Sequence, residues 1–185
     1  MVESSSNQSD VTKGAVAGII GGLVGTYAMS EFQGWWSRAV RGEQPQSSGG
    51  EHDARDWQEI DEETNANELV AQMLARATIG RPLHREELGV AAPAVHYTFG
   101  AMLGGFYGAL AERTPTVRAW SGAAYGTAVW AAADEVAIPV LGLSDSTSEQ
   151  PFERHLHSFA AHLVFGVTAE LVRRGVRAAM NARAG

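Results

Sequence analysis

Five side chains suited to acid–base or ligand chemistry fall within or beside apolar stretches: His96, Asp134, Glu135, His155 and His162. Ionisable groups in such surroundings are costly and often serve a function. Unperturbed histidine titrates near pH 6.5 and carboxylates near 4, so this set would change charge across an acid challenge. His155 and His162 are seven positions apart and share a face of a helix. Glu135 shares a face with Ala124, Ala128 and Ala131, a small-residue surface suited to helix contact. Pro139 has no N–H, so the carbonyl of Glu135, one turn earlier, loses its helical partner. A free carbonyl beside two carboxylates suits a cation or a proton. A metal centre needs three or four convergent ligands. The spacing permits convergence without showing it, so any metal is left unassigned and no cofactor is expected. Plainer roles stand beside these. Glu31, His155 and His157 lie near the ends of apolar stretches, where water reaches them. His96 and His162 suit hydrogen bonds between helices, and Glu170 suits a local pair with Arg173 or Arg174.

The elements that position these groups are four apolar stretches, each of a length to cross a bilayer core of about 20 residues. They run over residues 14–36, 92–111, 119–143 and 152–172. The expected fold is all-α: a four-helix transmembrane bundle, residues 14–180, with one amphipathic helix in its first long loop. The first stretch ends in Trp35-Trp36, a residue type favoured at the membrane interface. Pro93 opens the second. Glycines recur every fourth residue at Gly14, Gly18 and Gly22, at Gly100, Gly104 and Gly108, and at Gly122 and Gly126. In a soluble helix so many glycines cost backbone entropy; between membrane helices they let backbones approach closely. A phosphate-cradling loop is excluded, since no strand precedes these glycines and no Lys-Ser/Thr follows.

Residues 1–13 read as a disordered polar tail, residues 37–91 as a polar outer loop, and 181–185 as a short terminal tail. Within the loop, Leu69, Val70, Met73, Leu74 and Ala77 form a helical stripe over Asn65–Ala77, capped by Asn65 with Glu68. That helix is expected on the membrane surface or as a cap on the bundle. The chain has 185 residues, no cysteine and a net charge of -7, which exclude disulfides and argue against nucleic acid as a partner. The mean hydropathy of -0.12 hides the apolar stretches, because polar residues concentrate in the tail and the loop. Met1–Lys13 lacks the basic start of a signal peptide. Lys13, Arg113, Arg118, Arg173, Arg174, Arg177 and Arg183 fall on the side that holds both termini, so the positive-inside rule places both termini in the cytoplasm.

Three stretches together resemble the YagU-type bacterial inner-membrane proteins, a group associated with acid resistance. The likeness rests on His96, Phe99, Tyr107 and Ala111-Glu112; on Trp120, Gly122, Gly126, Pro139 and Gly142-Leu143; and on His162-Leu163-Val164, Glu170, Arg173-Arg174 and Arg177. It spans about half the chain. It implies a four-helix inner-membrane protein and supplies no active site. No catalytic motif stands out, so a non-enzymatic role is expected. The leading expectation is a contribution to acid tolerance through the His/carboxylate set. The alternatives are an accessory subunit that binds a membrane partner or a second copy through its glycine faces, and an intramembrane metal-binding protein.

Overall fold

In the computed structural model the chain is described over residues 2–41, 62–133 and 152–183. Among the described residues five α-helices and a 3-10 helix follow one another, and no strand occurs. They are α1 (Val2–Arg41), α2 (Glu62–Ile79), α3 (Arg85–Arg113), a 3-10 helix (Pro115–Gly122), α4 (Ala123–Ala132) and α5 (Phe152–Ala182). Asp134, Glu135 and Pro139, and with them the second half of the third apolar stretch, lie outside the described residues.

The helices run longer than the apolar stretches. α1 begins at Val2, so residues 2–13 form its first turns where a disordered tail was expected. Three main-chain turns need no apolar face when the helix behind them is already held. α2 begins at Glu62, which places Asn65 inside it and not at its cap. α3 starts at Arg85 and carries Pro93 in its interior, whereas the sequence suggested Pro93 as its first turn. The carbonyl left without a donor is that of Gly89. The stretch from Ala119 does not enter a helix directly. Trp120, Ser121 and Gly122 take positive φ values of 50°, 54° and 89°, and α4 starts only at Ala123.

Two seams hold the bundle. α1 and α3 run antiparallel with Gly18 and Gly22 of one against Gly100, Gly104 and Gly108 of the other. A Cβ on any of these would collide with backbone or with Thr26 across the seam. α4 meets α5 in the same way: Gly122 and Gly126 face Gly166 and the backbone at His162. A third approach brings Gly21 and Gly25 of α1 against Ala169 and Phe165 of α5. Between the seams lies a small apolar core of Met29, Val129, Ala161 and Phe165, flanked by Phe32, Leu103 and Tyr125. Tyr125 closes it by donating its hydroxyl to the Leu103 carbonyl at 2.8 Å.

α2 packs its small residues inward. Ala66, Ala71 and Ala75 are buried, while Leu69, Met73 and Leu74 of the apolar stripe stay exposed. The turn into α3 is fastened by polar contacts. The Gln72 amide bonds both main-chain groups of Leu83, at 3.0 and 2.8 Å. Glu87 accepts from the His84 N–H at 2.8 Å and takes a two-point contact from Arg81. Among the described residues one helical segment, Gln8–Ala39, is long and apolar enough to cross a membrane.

Two outcomes follow from this packing. Gly104→Leu places a side chain where the Gly18 and Gly22 backbones lie, and overpacking of this kind costs about 3 kcal/mol or more. Gly89 has open space around it, so Gly89→Ala should be neutral or stabilise by about 0.5–1 kcal/mol. Thermal unfolding of both variants in detergent measures the contrast. Separately, the Arg81 guanidinium, aided by the His84 N–H, holds the Glu87 carboxyl down at about 2. A depressed carboxylate stabilises the fold above its unfolded value, near 4.3, and that contribution fades as pH falls toward 2. NMR titration should find Glu87 still ionised at pH 3, and Arg81→Gln should return it toward the ordinary carboxylate range.

Candidate functional site

The densest polar arrangement lies where the N-terminal part of α1 and the C-terminal ends of α3 and α5 come together. Glu170 is fully buried and Arg173 is 3% exposed. They make a two-point contact, Nε to Oε2 at 2.7 Å and Nη2 to Oε1 at 3.1 Å. The remaining Arg173 nitrogen, Nη1, reaches Glu112 of α3 at 3.1 Å. Glu112 in turn is gripped by Arg177, from Nε at 2.9 Å and Nη2 at 3.1 Å. Arg177 extends the chain of charges to Asp10 of α1 at 3.3 Å. Arg174 adds one bond to Glu170, from its Nε at 2.6 Å.

Helix geometry explains the convergence. Glu170, Arg173, Arg174 and Arg177 follow at i, i+3, i+4 and i+7, so all four project from one side of α5. Glu112 continues the Gly100, Gly104, Gly108 row by one more turn. Asp10 lies one turn before Gly14, Gly18 and Gly22. Because α1 and α3 are antiparallel, both rows end in a carboxylate at the same end of the bundle. The buried charges are thus paired in full: every guanidinium nitrogen of Arg173 that can donate across the site meets a carboxylate oxygen. Tyr107, 1% exposed, lies under this layer with its ring centroid 6.0 Å from the Arg173 guanidinium and stacks on Tyr125 at 4.2 Å.

Chemically, this arrangement is a clamp. Glu170 and Glu112 each accept from two arginines, so both carboxylates are committed to guanidinium donors. The sequence placed Glu170 beside Arg173 and Arg174; Glu112 and Asp10, which tie the other two helices in, were not singled out as partners. The signal that locates them is the four-residue row, read one turn past its last glycine.

The histidines are distributed elsewhere. His162 is 6% exposed, on the face of α5 that meets Gly126, and its Nδ1 lies 3.0 Å from the Ser158 carbonyl. His96 is half-buried, edge-on to Tyr97 at 6.1 Å. His155 is half-buried at the start of α5. His157 stacks on Trp36 at 5.5 Å with Phe32 beside it. Among the described residues no three His, Asp or Glu side chains are placed to hold a metal ion. Gly18, Gly22, Gly100, Gly104, Gly108, Gly122 and Gly126 are all spent on contacts within the chain.

A family model described as "Protein of unknown function (DUF1440)" matches residues 75–171, just over half of the chain. The match runs from the end of α2 through α3 and α4 to Leu171 of α5, leaving α1 outside it. No curated protein and no solved structure matches the chain.

The clamp predicts a graded response to substitution. Glu170→Ala leaves Arg173 buried with one partner lost, a change that costs about 3–5 kcal/mol. Replacing both, Glu170→Met with Arg173→Met, should recover much of that loss, because it removes the desolvated charge as well as its partner. Arg174→Gln, at an exposed arm of the cluster, should cost under about 1 kcal/mol. Unfolding midpoints in detergent rank the three.

Proposed function

We propose that this chain, which belongs to the DUF1440 family, is a multi-pass inner-membrane protein without a catalytic centre that contributes to acid tolerance. The crossings are residues 14–36, 92–111, 119–143 and 152–172, within α1, within α3, around α4 and within α5, with both termini cytoplasmic. The observation that carries the membrane reading is where the large apolar side chains sit. Glycine, alanine and paired charges line the helix contacts around a small apolar core, while Ile19, Leu23 and Tyr27 of α1 and Phe99, Met102 and Phe106 of α3 are turned outward and exposed. A water-soluble bundle buries such residues and keeps exposed apolar patches to a few hundred Å². A lipid-exposed bundle does the reverse, and uses small residues at its helix contacts.

Orientation is supported by the end that gathers Asp10, Glu112 and Arg177. That end also carries Lys13, Arg113, Arg118 and Arg183, in a chain whose net charge is -7. A basic end is retained on the cytoplasmic side. The glycine faces are consumed within the bundle, so a partner helix would have to dock on other surfaces.

The acid-linked part of the reading rests on His162 and on the likeness to YagU-type proteins. His162 is a buried imidazole whose Nδ1 lies beside the Ser158 carbonyl, at the seam between α4 and α5.

Reporter fusions at Ser48 and at Gly185 test the topology: activity of a cytoplasmic reporter is expected at Gly185 only, and its activity at Ser48 would reverse the orientation. For the acid-linked role, His162→Gln should remain abundant in the membrane while survival at low pH falls to that of a deletion strain. An abundant, fully acid-tolerant variant would remove His162 from the function.

A further inference from the structure

We infer that the basic end of the bundle holds an anionic phospholipid headgroup between the 3-10 helix and α5, at Arg118 and Arg174. This inference rests on the membrane reading given above. The charge clamp spends Arg173 on Glu170 and Glu112, and Arg177 on Glu112, Asp10 and the Asn181 side chain, but it does not spend these two. Arg174 gives only its Nε to Glu170, and its side chain is 47% exposed. Arg118 has no ion pair among the described residues. The two belong to elements in direct contact, since Gly122 at the end of the 3-10 helix abuts Gly166 and the Glu170 side chain.

The surroundings select a lipid over a free anion. Leu171, one turn before Arg174, is 55% exposed, and Trp120, two residues after Arg118, is 83% exposed. Exposed tryptophan and leucine next to guanidinium groups match a molecule with an acyl chain attached to a phosphate. Trp120 holds φ at 50°, so the left-handed turn that seats Gly122 against α5 also sets where the indole leaves the backbone. Arginine donates to phosphate oxygens in a two-point geometry. Glu170, the carboxylate nearest to Arg174, is buried beneath it, so the exposed N–H groups of Arg174 meet no competing acceptor among the described residues. Basic pockets at the cytoplasmic ends of membrane helices bind anionic headgroups in this manner.

The test uses the full chain reconstituted in phosphatidylcholine vesicles with spin-labelled phosphatidylglycerol or spin-labelled phosphatidylcholine as the probe. The wild-type protein should retain the anionic label preferentially. Arg118→Gln and Arg174→Gln should each reduce that preference by up to about fivefold, the contribution of one basic residue near a charged surface. Arg183→Gln should leave it unchanged. Arg174 also braces Glu170, so Arg118, which braces nothing, is the decisive variant. An inserted protein that resists alkaline extraction yet shows no preference, or keeps it in the Arg118 variant, overturns the lipid site alone. Protein released by alkaline extraction overturns the membrane reading and the site with it. Displacement of the label by soluble glycerophosphoglycerol would show a free-anion site and overturn the assignment to lipid.

Discussion

Everything in this bundle depends on how closely α1 and α3 approach. Their backbones meet through glycine on both sides, at positions where a single Cβ would collide with the opposite main chain. No side chain can intervene at that distance, so the large residues of both helices must point elsewhere. They point outward. The exposed apolar belt is thus a geometric consequence of the glycine seam, and the seam gains most where outward-facing apolar residues meet lipid in place of water.

The seam also fixes what happens at its end. Once the glycine rows are in register, the next turn of each row brings Asp10 and Glu112 to one end of the bundle. Two carboxylates there would repel each other and lose hydration without compensation. α5 supplies the compensation, with Arg177 between them and Arg173 shared by Glu112 and the buried Glu170. Desolvated charges cost several kcal/mol each unless matched, so the arginines are required by the seam as much as by any function. A buried, fully satisfied clamp of this kind specifies which helix ends meet. It joins three helices without relying on large apolar side chains between them.

The division of labour among the arginines separates structure from interaction. Arg173 and Arg177 are consumed internally, while Arg118 and Arg174 retain donors at the surface. The histidines divide in a similar way. His162 is buried at the α4–α5 seam, whereas His157 stacks against the aromatic residues at the end of α1.

The all-helical architecture was determined locally, by apolar stretches of sufficient length and by glycine spacing that makes sense only when two helices touch. Three arginines and a glutamate at helical spacing in α5 likewise announced a charged face. What sequence could not decide was which rows meet and in what direction. Spacing within one helix says that residues share a face, but register between helices is set by contacts distant in sequence. Only that register put Asp10 and Glu112 on the same arginine. The turn at Trp120–Gly122 shows the same limit. Positive φ is unfavourable for tryptophan and serine, so local preference predicted a helix from Ala119. The need to bring Gly122 against Gly166 overrode it, since at that seam a displaced start is less costly than a backbone collision. The ends of α1 and α2, too, extend past their apolar residues, because a helix already anchored in a bundle adds turns at little cost.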